Sequence, residues 1–233
     1  MTRRFDAVIF DLYGTLVPEF SRAEFFDTVR AAAERLGCDP EAFVDGWSRT
    51  AIERQTGGYA GGVAENLRAI IATLGGAEPS DAAVADALAP RAAMYGRRFH
   101  PRVGALETLR TLKERGYRIG LISMCAPDTP EMWRATPIAP LVDAAVFSSE
   151  TGLRKPDAAI YRAACDRLGV RPDACLYCGD GSYRELSGAE AVGMTAVEIC
   201  DPEVDRTEQL RPEGEDWAGA RVADLRELLA LLP

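Results

Sequence analysis

The sequence predicts an α/β protein: a parallel sheet covered by helices on both faces, with one long helical insertion near its start. Three observations predict it. Short apolar runs alternate with amphipathic helical stretches; glycines stand where those helices should end; and residues 18–98 replace the alternation with helices alone. With 233 residues, 47% hydrophobic and 27% charged, the chain has material for a sizeable core in one large domain that carries an insertion.

The first strand is expected at 5–10 (FDAVIF); it delivers Asp11, after which Gly14-Thr15 turns the chain. Helices are then expected at about 21–36, 40–54, 62–74 and 80–95, punctuated by Gly57-Gly58, Gly61-Gly62 and Gly75-Gly76. So long an excursion reads as a subdomain rather than a loop, and its place after the first strand sets it over the sheet's carboxyl edge like a lid. His100-Pro101 marks the return, dividing the chain into a core of 1–17 and 99–233 and a cap of 18–98. A helix at 104–115, with Leu106, Leu109 and Leu112, runs to a Gly116 cap before a strand at 117–123 (YRIGLIS). A strand at 143–148 and a helix at 157–168, with Ile160, Ala164 and Leu168, lead to Gly169. Strands at 174–179 (ACLYCG) and, after Gly193, at 194–199 precede a leucine-rich helix at 224–232.

A formal net charge of −9 without a Lys/Arg block argues against non-specific nucleic-acid binding. No apolar run approaches membrane-spanning length and no signal-peptide pattern follows Met1, so a cytoplasmic protein without a membrane partner, monomeric or homodimeric, is expected. The six cysteines (Cys38, Cys125, Cys165, Cys175, Cys178 and Cys200) then read as reduced core thiols. Cys175 and Cys178 form a CxxC, but in a strand positions i and i+3 point to opposite faces and cannot share a zinc ion.

Chemistry gathers at the expected carboxyl ends of the strands, where open α/β sheets place their sites. Asp11 and Thr15 follow the first strand, Ser123 ends the second, Lys155 follows the third, and Asp180 with Glu185 follows the fourth. Asp11, Asp180 and Glu185 bring three negative charges against one on Lys155. Two like charges about 4 Å apart at an effective dielectric near 20 repel by roughly 4 kcal/mol. Such a cluster calls for a divalent cation or a raised pKa on one acid, and oxygen-only ligands favour Mg2+.

The segments Asp-Leu-Tyr-Gly-Thr-Leu (11–16), Leu-Ile-Ser (121–123), Arg-Lys-Pro-Asp (154–157) with Ile160-Tyr161, and Gly-Asp-Gly (179–181) through Glu185 to Ser187-Gly188-Ala189 resemble the haloacid dehalogenase-like (HAD) hydrolase superfamily, subfamily I with a helical C1-type cap. His100-Pro101-Arg102-Val103 resembles the point where such chains leave the cap. The resemblance implies a Rossmann-like parallel sheet with an inserted α-helical cap subdomain. It further implies that Asp11 attacks the substrate to form a covalent aspartyl intermediate, which water hydrolyses. Thr15 and Ser123 would hydrogen-bond the transferring group and Lys155 would neutralise charge beside Asp11. Mg2+ would be held by Asp11, the main-chain carbonyl of Tyr13, Asp180 and Glu185, the last directly or through water.

Tyr13 divides the reading. Phosphatases of this superfamily carry Asp there as acid and base, and a phenol is a poor base at neutral pH. The 2-haloacid dehalogenases carry Tyr, since a departing halide needs no proton, but use no metal; they have Ser and Asn where this chain has Gly-Asp-Gly, and usually Asn where it has Met124. A Mg2+-dependent phosphatase or phosphotransferase acting on a small, anionic phosphorylated metabolite is favoured over a C–X hydrolase of the dehalogenase type or a non-catalytic binding or regulatory protein. A weakly basic leaving group, such as that of an acyl phosphate or anhydride, would reconcile the two motifs. Substrate grip is assigned to Tyr13, Arg49 and Arg54, with Tyr59 a further candidate at the entrance. His100, Asp128 and Glu131 read as turn and helix-start residues, Trp133 as packing, and Arg154 and Arg184 as neighbours that shape the charge of the site.

Overall fold

A computed structural model of the chain describes residues 3–58 and 61–232. The strands are β1 (Ala7–Phe10), β2 (Arg118–Ser123), β3 (Ala144–Phe147), β4 (Cys175–Gly179), β5 (Thr195–Ile199) and β6 (Ala220–Val222). The helices are α1 (Arg22–Arg35), α2 (Pro40–Arg49), α3 (Ala51–Gln55), α4 (Val63–Thr73) and α5 (Asp81–Arg98), then α6 (Ala105–Glu114), α7 (Thr129–Arg134), α8 (Ser148–Thr151), α9 (Ala158–Leu168) and α10 (Glu185–Ala191). The six strands form one sheet in the order β3-β2-β1-β4-β5-β6, and every pairing is parallel. The chain winds outward from β1 to β3 and then restarts at β4 on β1's other side. The switch point between β1 and β4 is where such a sheet opens a crevice for ligand.

Alternation along β1 explains how the sheet is buried on both faces. Val8 and Phe10 join Leu109 of α6, Leu121 and Leu176, whereas Ala7 and Ile9 join Ile160, Tyr161 and Leu186 of α9 and α10. The same alternation separates the CxxC: Cys178 lies in the first cluster and Cys175 in the second, and all six cysteines are free thiols. No helix among the described residues is long and apolar enough to cross a membrane.

Helices α1–α5 enclose an apolar core of their own, with Val29, Phe43, Leu67, Ile70 and Val84 at its centre. Their starts are written in the sequence. Ser21, Asp39 and Ser80 each accept a hydrogen bond from the backbone N–H three residues on, at 3.4, 2.7 and 3.3 Å. The expected helix over 40–54 is broken at Thr50, which separates α2 from α3 and whose hydroxyl donates to the Gly46 carbonyl at 2.8 Å. The helix expected over 224–232 is instead a tighter 3-10 segment, Leu225–Ala230. Strand β6 was not legible in the sequence: its three residues at the sheet edge are too short for a periodic signal.

Gly120 of β2 allows α9 to lie close on the sheet, since a Cβ there would stand 2.9 Å from Leu168 Cδ1 and 3.0 Å from Ile9 Cγ1. Gly120→Ala is therefore expected to cost about 1–3 kcal/mol of unfolding free energy, read as a lower urea midpoint at an unchanged m-value.

Candidate active site

The centre of the site is a buried ammonium shared by two carboxylates. Lys155 Nζ donates to Asp11 Oδ1 and to Glu185 Oε2, each at 2.5 Å. The lysine and the glutamate are effectively sealed from water, while Asp11 keeps a 7% opening toward the cavity. Asp11 is fixed by the end of β1, its N–H donating to the Cys178 carbonyl of β4 at 2.9 Å. Glu185 opens α10 and is held from three further sides: the Tyr177 hydroxyl donates to Oε2 at 2.7 Å, the Gly181 N–H to Oε1 at 3.1 Å, and the Tyr161 hydroxyl to its carbonyl at 2.9 Å.

Two glycines make room for this. A Cβ on Gly179 would fall 2.1 Å from Glu185 Oε1, and one on Gly14, which has φ +73°, would fall 2.8 Å from Asp180 Oδ2. Between Asp180 and Glu185 the backbone passes through left-handed conformations at Tyr183 (φ 53°) and Arg184 (φ 51°), where a non-glycine residue costs about 1–3 kcal/mol. These residues are restrained from outside, their N–H groups donating to the carbonyls of Pro212 at 2.7 Å and Glu213 at 3.2 Å.

Asp11, Asp180 and Glu185 each place a carboxylate oxygen within 4.8 Å of the others. Burial raises the pKa of Asp11 against the pull of Lys155, with Asp180 adding to the rise. Burial, then Asp11, pushes the Glu185 carboxyl up to about 8, again against Lys155. Burial alone would lower Lys155, but its two carboxylates more than reverse that and keep it an ammonium. The two carboxyl shifts have the same cause: crowding buried acids together favours the neutral form of each.

The sequence-based charge count needs one correction. Arg211, from the irregular segment after β5, donates from Nε to Asp180 Oδ2 at 3.1 Å, so a second cation offsets the three acids. Arg211 and Arg206 both donate to the Asp180 carbonyl, and Ser182 donates from N and Oγ to the two carboxylate oxygens at 2.9 and 3.0 Å. Glu19 is a second residue that sequence reasoning missed. It lines the cavity in front of Asp11, and its carboxyl is driven well above the usual range by burial and by Asp180. Neither residue had a local signal: hydrogen bonding between Leu210 N–H and the Phe20 carbonyl, at 2.9 Å, brings their two distant segments together.

Thr15 and Ser123 are buried at the same edge, and each hydroxyl lacks a hydrogen-bond partner within the protein. Tyr13 does not aim a free phenol at Asp11. Its hydroxyl is engaged with Thr129 Oγ1 at 2.9 Å, its ring packs on Phe20 and Phe99 at 5.2 and 5.9 Å, and burial holds its pKa well above 10.0.

A cavity of about 260 Å³ stands before Asp11, and Arg54 of α3 and Trp47 of α2 line it. Arg49 is not brought there; it is exposed and pairs with Asp45 at 3.1 Å, because it points from α2 away from the face that carries Trp47. Tyr59 lies outside the described residues. His100 is exposed beside the Pro101 carbonyl, Arg154 pairs with Glu213 at 3.8 Å, Arg184 is exposed and Trp133 is core. Asp128 precedes α7 but makes no cap; it grips Arg91 of α5 through two hydrogen bonds at 3.0 and 3.1 Å.

Residues 5–193 match the model of the haloacid dehalogenase-like hydrolase family, and the chain belongs to that family. It is 28% identical to the glyceraldehyde 3-phosphate phosphatase of Methanopyrus kandleri, with 83% of each chain covered. It is 30% identical to the ribulose-1,5-bisphosphate 5-phosphatase of Halopiger xanaduensis, with 97% of this chain and 98% of that one covered. Among solved structures, that of a dehalogenase with its intermediate complex superposes with a TM-score of 0.60 at 26% identity, covering 100% of this chain and 99% of the other.

Two outcomes follow from the buried charges. Lys155→Met strands Asp11 and Glu185 and should cost about 3–5 kcal/mol, measured by chemical denaturation at pH 7. Glu19, with a folded pKa above its unfolded one, favours folding most at acidic pH, and that contribution is lost as pH rises through the folded value. Glu19→Gln should therefore lose less stability than the parent as pH rises from about 4.5 to neutrality, seen as a flatter Tm profile.

Proposed function

We propose that the protein is a phosphatase or phosphotransferase that uses Asp11 as nucleophile and Mg2+ as cofactor on a small phosphorylated metabolite. One observation carries the reading: two buried hydroxyls, Thr15 and Ser123, stand without partners at the strand edge that presents Asp11. A buried donor left unpaired costs about 1–3 kcal/mol, and a phosphoryl group transferred to Asp11 supplies the acceptors that offset it. Glyceraldehyde 3-phosphate and ribulose bisphosphate, the substrates in the names of two relatives, support a small phosphorylated compound.

The donor set fits Mg2+. Asp11, Asp180 and Glu185 offer hard oxygens, all buried and within 4.8 Å of one another. Asp11, Asp180, Glu185 and the Tyr13 carbonyl would hold the ion, which supplies positive charge against the phosphoryl oxygens. Asp11 forms the new O–P bond as the bond to the leaving oxygen breaks, and Lys155 holds the carboxylate in place. Water then attacks phosphorus, giving inorganic phosphate and restoring Asp11. The Tyr13 hydroxyl is shared with Thr129 Oγ1, and burial raises its pKa, so it is a poor acid toward a leaving oxygen, which favours a weakly basic leaving group such as that of an acyl phosphate or anhydride. Residues 18–98 act as the cap over Asp11, with Arg54 in the cavity wall and Arg49 left to the surface.

A dehalogenase-type C–X hydrolysis is the second reading, favoured by Tyr13 among aromatic rings and by the guanidinium already seated on Asp180. The assay that separates them follows phosphate release from acetyl phosphate with Mg2+ and chloride release from 2-chloropropionate with EDTA. Phosphate release lost by at least about a thousandfold in Asp11→Asn supports the proposal; chloride release alone overturns it. Mg2+ should also raise the Tm of the parent in the absence of substrate, and Asp180→Asn should abolish that shift.

A further inference from the structure

We infer that the part of the substrate held beyond the transferred group is apolar, and best a flat aromatic ring, unlike the hydroxylated sugars named for the relatives. The inference rests on the phosphoryl-transfer reading above and concerns the remaining lining of the same cavity.

The wall there is built from large apolar side chains. Phe20 follows β1; Phe25 and Phe26 come from α1, both only half-buried; Trp47 comes from α2, Tyr95 from α5 and Met124 from the end of β2. Phe25 and Phe26 meet edge to face at 5.5 Å, and Phe20 lies 5.2 Å from Tyr13 and 4.7 Å from Tyr95. The half-buried rings of Phe25 and Phe26 gain from being covered by a ring of matching shape.

The polar groups on the same wall already bond within the protein. Arg54 is buried, its guanidinium stacked 3.8 Å from the Trp47 ring and donating to the Trp47 carbonyl at 2.5 Å and to Thr50 Oγ1 at 3.1 Å. Arg91 grips Asp128 and donates to the Tyr95 hydroxyl at 2.7 Å. The Ser48 hydroxyl donates to the Val44 carbonyl at 2.8 Å, and Gln55 Oε1 accepts from the Tyr183 hydroxyl at 3.0 Å. A polyhydroxylated leaving group would surrender its water for few open partners on this wall, chiefly Gln55 Nε2 and Glu19 Oε2. An aryl group surrenders no hydrogen bonds and gains by area alone.

The test compares benzoyl phosphate with acetyl phosphate, which share a carboxylate leaving group and differ in apolar surface, using the full chain with Mg2+. Benzoyl phosphate should show a kcat/KM at least about tenfold higher, from roughly 25 cal/mol per Å² over the extra ring. Phe26→Ser should erase most of that ratio, its folding checked by far-UV circular dichroism. Because the comparison needs turnover, a second measurement is independent of it: phenylphosphonate should raise the Tm of Asp11→Asn more than methylphosphonate at equal concentration. A ratio at or below one, with both activities lost in Asp11→Asn, overturns the inference and leaves the phosphoryl-transfer reading standing. Failure to turn over either phosphate removes that reading instead; the phosphonate shifts then decide the pocket, equal shifts overturning it and a larger phenyl shift supporting it.

Discussion

The arrangement depends on one buried ammonium. Lys155 is the shared counter-charge of Asp11 and Glu185, and it arrives from the connection between β3 and α9, whereas its partners arrive from β1 and α10. Three separate stretches of chain are thus tied at a single nitrogen in a region sealed from water. In water the same contacts would be worth little; here each partner's loss would leave a desolvated charge. The tie also pins Asp11 Oδ1, so the electrostatic constraint doubles as a geometric one.

The sheet makes this meeting possible. With β1 flanked by β2 and β4, residues at the ends of three neighbouring strands converge on one crevice although Asp11 lies more than a hundred positions before Ser123 and Asp180 in sequence. The glycines at 14 and 179 let carboxylates approach where a side chain would exclude them, and the left-handed pair at 183 and 184 turns Glu185 back under Asp11. Strain in that turn is borne by hydrogen bonds from the segment around Pro212, so distant chain supports local geometry.

Much of this was legible in the sequence, because it depends on local rules. Four of the five expected strands ended where apolar runs met a carboxylate, hydroxyl or glycine, and residues at those ends were among the ones the fold brings together. The alternation that placed Cys175 and Cys178 on opposite faces held for the same reason. What escaped was set by long-range contact. Strand β6 owes its place to pairing with β5 and to Arg221 reaching Glu198 at 2.6 Å, neither of which leaves a periodic mark. Arg211 and Glu19 lie in stretches with no pattern of their own, and only the packing of 209–211 along 20–21 makes them neighbours. Arg49 and Arg54 looked alike as helical cations, but five positions apart they need not share a face: Arg54 is buried and Arg49 is exposed, paired with Asp45.

The family match ends at residue 193, yet the guanidinium groups that grip Asp180 come from residues 206 and 211. The motif segments and the guanidinium groups that set the charge on Asp180 therefore lie on different parts of the chain. Substitution in the tail can retune how strongly Asp180 attracts a cation while leaving every strand and every motif residue unaltered. Two proteins with the same signature can in this way differ in ionic character, and the tail is where that individuality is written.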